Sequence, residues 1–137
     1  MKNKNFSLYT DGCCKGNPGP AGIGIVIKDS HKKIIKELSE YIGEATNNIA
    51  EYSALIRGLE AAGDLGAEDI KVFMDSELVV KQLNGEYRVK DDRMKELFKQ
   101  AFGFLKDFKS FEIKHIDRSK NKEADKLANK AIDMAGV

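Results

Sequence analysis

The sequence has no tryptophan, two prolines and two cysteines in 137 residues. Both prolines, Pro18 and Pro20, fall in one short stretch, so no ring interrupts helix or strand hydrogen bonding elsewhere. The cysteines, Cys13 and Cys14, are neighbours. Adjacent cysteines rarely close an unstrained disulfide, and two sulfurs without a second Cys or His group make no zinc site, so two reduced thiols are expected. No apolar run approaches the roughly 20 residues that cross a bilayer, and the opening MKNKNFSLYTD has no apolar signal segment. The expectation is a cytoplasmic protein with no membrane partner. What is abundant is charge, 33% of residues against 42% hydrophobic, and a chain of roughly 150 residues hides about 70% of its unfolded surface. The length suits one domain over residues 1–137 with a core of its own.

Net charge is only +1, from 23 basic and 22 acidic residues, but the signs are segregated. Residues 1–35 carry six basic and two acidic side chains, residues 36–77 three and ten, and residues 78–137 fourteen and ten. Such a split can set an acidic site beside basic surfaces that hold a polyanion, or it can be the unevenness of solvated faces. Charge alone does not separate the two.

Elements follow from periodicity. Phe6–Asp11 is a β-rich run ending in an acid, Gly12–Pro20 is rich in turn residues, and in Ala21–Asp29 the residues Ile23, Ile25 and Ile27 alternate as a half-buried strand requires. Ile34–Ile42 reads as a third strand, which makes an antiparallel meander. Thr46 or Asn47 then caps a helix with Ile49, Tyr52, Ile56 and Leu59 on one face, ended at Gly63 or Gly66. Ile70–Asp75 is a strand ending in another acid. Ser76 caps a short helix over Glu77–Leu83, stopped by Asn84-Gly85. An amphipathic helix over Asp92–Lys106 turns Met94, Leu97, Phe98, Ala101 and Leu105 inward. Phe111–Ile116 is a fifth strand, and a last helix from about Asn121 carries Ala124, Leu127, Ala128, Ala131 and Met134 or Ala135 inward. The order β-β-β-α-β-α-α-β-α predicts an α/β fold, a five-stranded mixed sheet flanked by helices.

Four acids stand where such a fold exposes side chains. Asp11 ends the first strand, Glu51 lies early in the first long helix, Asp75 ends the fourth strand and Asp125 lies in the first turn of the last helix. Each has an innocent reading, as a turn residue or as a complement to a helix dipole. Asp11 is harder to explain that way, because a carboxylate emerging from an apolar strand is costly unless paired or metal-bound. Parallel neighbouring strands would bring Asp11 and Asp75 to the edge where α/β sheets bind ligands. Together the acids would raise one another's pKa unless a cation neutralised them, and hard oxygen donors suit Mg²⁺ or Mn²⁺. Two such ions about 4 Å apart activate water and stabilise a leaving oxygen, which is the chemistry of phosphodiester hydrolysis.

At these residues the sequence resembles the type 1 ribonuclease H family. YTDGCCKGNPGPAGIG resembles the family's first-strand and turn signature, TNNIAEYSALIRGLEAA its first-helix signature, VFMDSELVVKQLNG its fourth-strand signature and NKEADKLANKA its last-helix signature. The resemblance implies an endonuclease that cuts the RNA strand of an RNA–DNA hybrid, leaving 5′-phosphate and 3′-hydroxyl ends, with two Mg²⁺ ions when substrate is bound and Mn²⁺ as a substitute. A monomer is the default expectation. It implies that Asp11, Glu51, Asp75 and Asp125 are the catalytic metal ligands. Asn17, Asn47 and Asn48 match residues that contact RNA in the minor groove, Gly12 and Cys13 positions whose backbone approaches RNA, and Thr46 a residue that contacts a DNA phosphate. An enzyme that tells RNA from DNA must feel the 2′-hydroxyl, and carboxamides both donate and accept there.

The sequence departs from the family pattern in three places. HIDRSKN leaves little room for the histidine-bearing loop of many bacterial members. His115 is read as a structural residue inside the fifth strand, and Arg118 either contacts the scissile phosphate, as in archaeal-type relatives, or is a surface arginine tied to Asp117. Second, Gly85–Lys90 leads almost directly into the next helix, so the chain is a compact member without the basic, Trp-rich protrusion. Lys81, Arg88, Lys90 and Arg93 would have to grip the hybrid, or they are solvated decoration. Third, Glu77 stands where many relatives have a base-contacting Gln, and a carboxylate cannot donate. Two rivals remain: a related nuclease acting on DNA junctions or double-stranded RNA, and a non-catalytic nucleic-acid-binding module. Retention of all four carboxylates counts against the second.

Overall fold

In the second strand alternate residues meet two different surfaces, and this sets the layering. The computed structural model describes residues 4–137. In β2 (Gly19–Lys28), Ile23, Ile25 and Ile27 enter the main core, while Gly22 and Gly24 offer bare backbone to the opposite side. β2 pairs antiparallel with β1 (Asn5–Cys14) and with β3 (Ile34–Ala45). β1 also pairs parallel with β4 (Asp69–Met74), which pairs parallel with β5 (Ser110–His115). The sheet order is β3-β2-β1-β4-β5.

Helix α1 (Asn47–Asp64) lies against the isoleucine face and buries Tyr52, Leu55 and Leu59 among Leu8, Ile23 and Ile25. Gly58 makes this approach possible, since a Cβ there would meet Leu8 Cδ1 at 2.8 Å. α3 (Asp92–Leu105) packs behind α1, burying Leu97, Ala101 and Leu105, with Met94 and Phe98 half-buried. The short α2 (Glu77–Leu83) joins the two ends of this layer. Its Gln82 is buried and accepts from the Tyr52 hydroxyl at 2.6 Å, which gives a phenol deep in the core its partner. α4 (Lys122–Met134) covers the other face across β1, β2 and β3.

Expected caps are present. Thr46 Oγ1 accepts from Ile49 N at 3.2 Å, and Ser76 Oγ from Val79 N at 3.3 Å. Several expectations need correction. β1 runs three residues past Asp11, because Asp11 to Cys14 pair with Gly24 to Ala21. The turn is correspondingly short, closed by Lys15 N donating to Pro20 O at 2.8 Å. A single 3-10 turn, Arg118–Lys120, precedes α4. Met134 is 78% exposed and Ala135 is exposed; Ile132 takes the inward position, one turn after Ala128, where α4 still lies over the sheet. Among the described residues no helix is long and apolar enough to cross a membrane.

Candidate active site

β1 and β4 run side by side until Thr10 meets Met74, and there their pairing stops. The next residue of each strand is an aspartate, Asp11 and Asp75. Asp11 is 5% exposed, because β1 continues along β2 while α1 and α4 close over it. Asp75 is half-buried at the open side. Glu51, in the second turn of α1, is 9% exposed, and its Oε1 accepts from Gly12 N at 2.6 Å. Only glycine allows that contact. A Cβ on Gly12 would overlap the Ala50 carbonyl and come within 2.6 Å of Glu51 N. One carboxylate oxygen from each of Asp11, Glu51 and Asp75 lies within 4.8 Å of the others.

Burial is the first cause that pushes Asp11 far above the ordinary carboxylate range, reinforced by the charges of Glu51, Asp75 and Asp125. Glu51 is also raised by burial, although the Gly12 amide opposes this. Asp75 is raised by burial, against hydrogen bonding from Asn121 and the charge of Arg118. Asp125, in the first turn of α4, faces Asp11 from the last side; its side chain is 30% exposed and lies 3.8 Å from Arg118 Nη2. Three carboxyls whose ionisation is opposed by burial and by one another, two of them buried, form a hard-oxygen donor set, with Arg118 the cation that opposes the rise at Glu51 and Asp75. That is the donor chemistry a divalent hard cation satisfies.

The cleft over these carboxyls, about 490 Å³, is lined also by Gly12, Cys13, Cys14, Asn47, Asn48, Ser76, Arg118 and Asn129. Asn17 and Thr46 lie beside it. Asn17 Oδ1 accepts from Asn47 N at 3.0 Å, and the Cys14 thiol donates to Asn47 Oδ1 at 2.8 Å, so the β1–β2 turn is tied to the start of α1. Both cysteines are free thiols, and burial with the charge of Asp11 pushes Cys13 up to about 12, which disfavours the thiolate a redox switch would need.

The partner of Arg118 differs from expectation. Arg118 is 81% exposed and pairs with Asp125, not Asp117; Asp117 instead accepts from Ser119, capping the 3-10 turn. His115 is the exposed last residue of β5 and stands outside the cleft lining. Glu77 is turned to Lys81 at 3.1 Å along the exposed side of α2. Local sequence marks Asn121 only as a helix start and gives Asn129 no role. Asn121 is 2% exposed, and its Nδ2 donates to Thr10 O at 2.9 Å. Asn129 Nδ2 donates to Asp125 O at 2.9 Å and to Asp125 Oδ1 at 3.3 Å. The i, i+4 spacing of Asp125 and Asn129 was the available signal for the latter.

The family described as reverse transcriptase-like matches residues 9–131. The chain is 45% identical over 127 residues to a ribonuclease HI of Halobacterium salinarum, covering 93% of this chain and 64% of that protein. It is 33% identical over 144 residues to a ribonuclease H of Pseudomonas putida, covering 94% of each. Against some mycobacterial relatives, 44% identical, it spans about a third of their length. A crystal structure of LC11-RNase H1 in complex with an RNA/DNA hybrid superposes with a TM-score of 0.92 at 45% identity, covering 96% of this chain and 99% of that one. A parallel β1–β4 edge bearing two aspartates, a glutamate brought over it by α1, and these alignments along almost the whole length agree: the chain belongs to the ribonuclease H family.

Proposed function

We propose that this chain is a metal-dependent endoribonuclease that hydrolyses the RNA strand of RNA–DNA hybrids, leaving 5′-phosphate and 3′-hydroxyl ends. The observation that carries the reading is the meeting of buried Asp11 and Glu51 with half-buried Asp75 within 4.8 Å in an open cleft. A relative at 45% identity was crystallised with an RNA/DNA hybrid, which supports the substrate class. The 137 residues act as one such domain, monomeric and cytoplasmic, and two free thiols fit a reducing compartment.

Asp11, Glu51, Asp75 and Asp125 would hold divalent ions, Mg²⁺ or Mn²⁺, two with substrate bound. When bound, the ions supply charge neutralisation at the phosphate and lower the pKa of water. The protein's own part is positioning. Gly12 N–H holds one Glu51 oxygen, so the carboxylate keeps its orientation as the cluster ionises. Gly12 and Cys13 line the cleft, and the missing side chain of Gly12 would let an RNA backbone come close. Asn47 and Asn48 on the cleft wall, with Asn17 behind Asn47, present carboxamides that both donate to and accept from a 2′-hydroxyl. The Thr46 hydroxyl already accepts from Ile49 N–H, leaving its proton to donate to a phosphate of the DNA strand. Arg118, exposed and held only at 3.8 Å by Asp125, is placed to move onto the scissile phosphate.

The test is cleavage of an end-labelled RNA–DNA hybrid with Mg²⁺, Mn²⁺ or EDTA, beside Asp75→Asn. Double-stranded RNA and a DNA duplex containing one ribonucleotide are offered in parallel. Cutting of the RNA strand of the hybrid, lost in EDTA and in the variant, is expected. An intact hybrid at high enzyme concentration with both metals overturns the proposal and leaves a binding module.

A further inference from the structure

Where two parallel strands diverge, their last carbonyls lose the partners that the sheet ladder supplied. Here the last β1–β4 pair is Thr10 with Met74. Both carbonyls are met by the segment that follows β5. Ile116 N donates to Met74 O at 2.9 Å, and Asn121 Nδ2 donates to Thr10 O at 2.9 Å. The first is an ordinary continuation of β4–β5 pairing. The second is a side chain reaching 111 residues back in sequence to the residue before Asp11.

Asn121 is 2% exposed, yet its amide does not cap α4, the helix it begins. Asp75 also feels this side chain, which opposes the rise that burial gives its pKa. The carboxamide therefore holds the end of β1 with its donor and stands beside the acid that follows β4. Its Oδ1 and the neighbouring Thr10 Oγ1 are buried and find no partner among the described residues. Four residues later on α4 stands Asp125, so the point that fixes the strand ends also fixes the start of the helix carrying the fourth acid.

We propose that Asn121 is a positioning residue: its buried amide replaces the missing rung between β1 and β4 and sets the separation of Asp11, Asp75 and Asp125. It touches neither substrate nor reacting atoms, and it acts through the carboxylates. The proposal rests on the metal-dependent reading above, so binding is measured apart from activity.

Mn²⁺ is titrated calorimetrically into the substrate-free protein for the parent, Asn121→Ala and Ser39→Ala. Ser39 Oγ donates to Leu127 O at 2.6 Å and so anchors α4 from β3 without any group in the cleft. The expected result is a fall in Mn²⁺ affinity of about 10–100-fold in Asn121→Ala and no such fall in Ser39→Ala, although both are less stable. In cleavage assays the metal optimum of Asn121→Ala moves upward, while KM for hybrid at saturating metal stays within about twofold. Unchanged metal affinity in folded Asn121→Ala, or an equal loss in Ser39→Ala, overturns the proposal. Should Asn121→Ala fail to fold, ¹⁵N-labelled parent protein decides. The Asn121 carboxamide protons should exchange slowly and shift on Mg²⁺ addition with the midpoint seen at the Gly12 amide; fast exchange or no shift overturns it. A parent that binds Mn²⁺ and cuts hybrid beside an equally competent Asn121→Ala removes only this inference. A parent that does neither removes the functional reading, and the inference with it.

Discussion

Asp11 follows Leu8 and Thr10, both fully buried, and is itself nearly inaccessible. Its raised pKa has a consequence for the metal-free protein. A carboxyl whose folded value lies above its unfolded one contributes stability below the ordinary carboxylate pKa and loses it as pH rises through the folded value. The metal-free protein should therefore melt at lower temperature as pH climbs from about 5 to about 8. Asp11→Asn removes the charge that is costly to form, so its melting temperature should change less over that interval and exceed the parent's at the alkaline end. The same variant should lose about a hundredfold or more of its cleavage rate, since it removes a metal ligand. Melting curves with EDTA and with Mg²⁺ check this; a parent whose metal-free stability rises with pH would contradict the buried-carboxyl account. Gly12 offers a second residue-scale prediction. A methyl group there overlaps the Ala50 carbonyl, and backbone cannot yield as a flexible side chain can. Gly12→Ala should cost about 3 kcal/mol or more by denaturant unfolding and break the hydrogen bond to Glu51.

The elements show which parts of the protein are legible from local sequence. The Thr46 and Ser76 caps were legible, because each acts on an amide three residues away, whereas the Asp91 cap of α3 was not read. The parallel Asp11–Asp75 edge was legible from two apolar runs that each end in an acid. The extension of β1 through Cys14 was not, because Gly12, Cys13 and Cys14 carry no strong strand preference and owe their conformation to pairing with β2. Nor was Asn121 legible, since nothing local marks a side chain whose partner is 111 residues away. The docking of α4 has the same character. Gly24 sits under α4 so closely that a Cβ would overlap Ala124 O and approach Ala128 N to 2.7 Å. Lys28–Glu123 at 3.1 Å and Lys15–Asp133 at 3.2 Å flank that contact. The partly exposed pairs contribute little, about 0–1 kcal/mol each, so the glycine contact decides how near α4 comes. Gly24→Ala should lift the first turn of α4, carrying Asp125 away from Asp11. Cleavage should fall more than tenfold while the α1 side of the core remains protected in hydrogen exchange; parent-level activity would show that the close approach does not set the site.

At the scale of the whole molecule, net charge is nearly zero, yet the proposed substrate is a polyanion. The cleft is lined by four acids and has Arg118 as its cation, so further grip has to come from cations placed elsewhere along the duplex. Arg88 and Lys90 lie between α2 and α3, and Arg93 lies at the start of α3; all three are exposed. They occupy the connection where the compact chain has only a short link. Lys81 is committed locally, with its ammonium 3.1 Å from Glu77 and 4.9 Å from the Tyr87 ring centroid, which leaves the other three as the cations free to meet phosphates. Each phosphate contact releases counterions, so log K should fall linearly with log salt by about 0.9 per neutralised phosphate in duplex DNA. Replacing Arg88, Lys90 and Arg93 together with Gln should reduce that slope by about 3 and raise KM for hybrid, with kcat changed less than about twofold, because none of the three lines the cleft. Hybrid affinity measured across a salt series, in Ca²⁺ to prevent cutting, reads the slope directly. An unchanged slope would mean that these charges are solvated and that the cleft holds the duplex through its amides and Arg118. A lowered slope would mean that this compact chain grips its substrate with a few dispersed cations away from the acidic cleft.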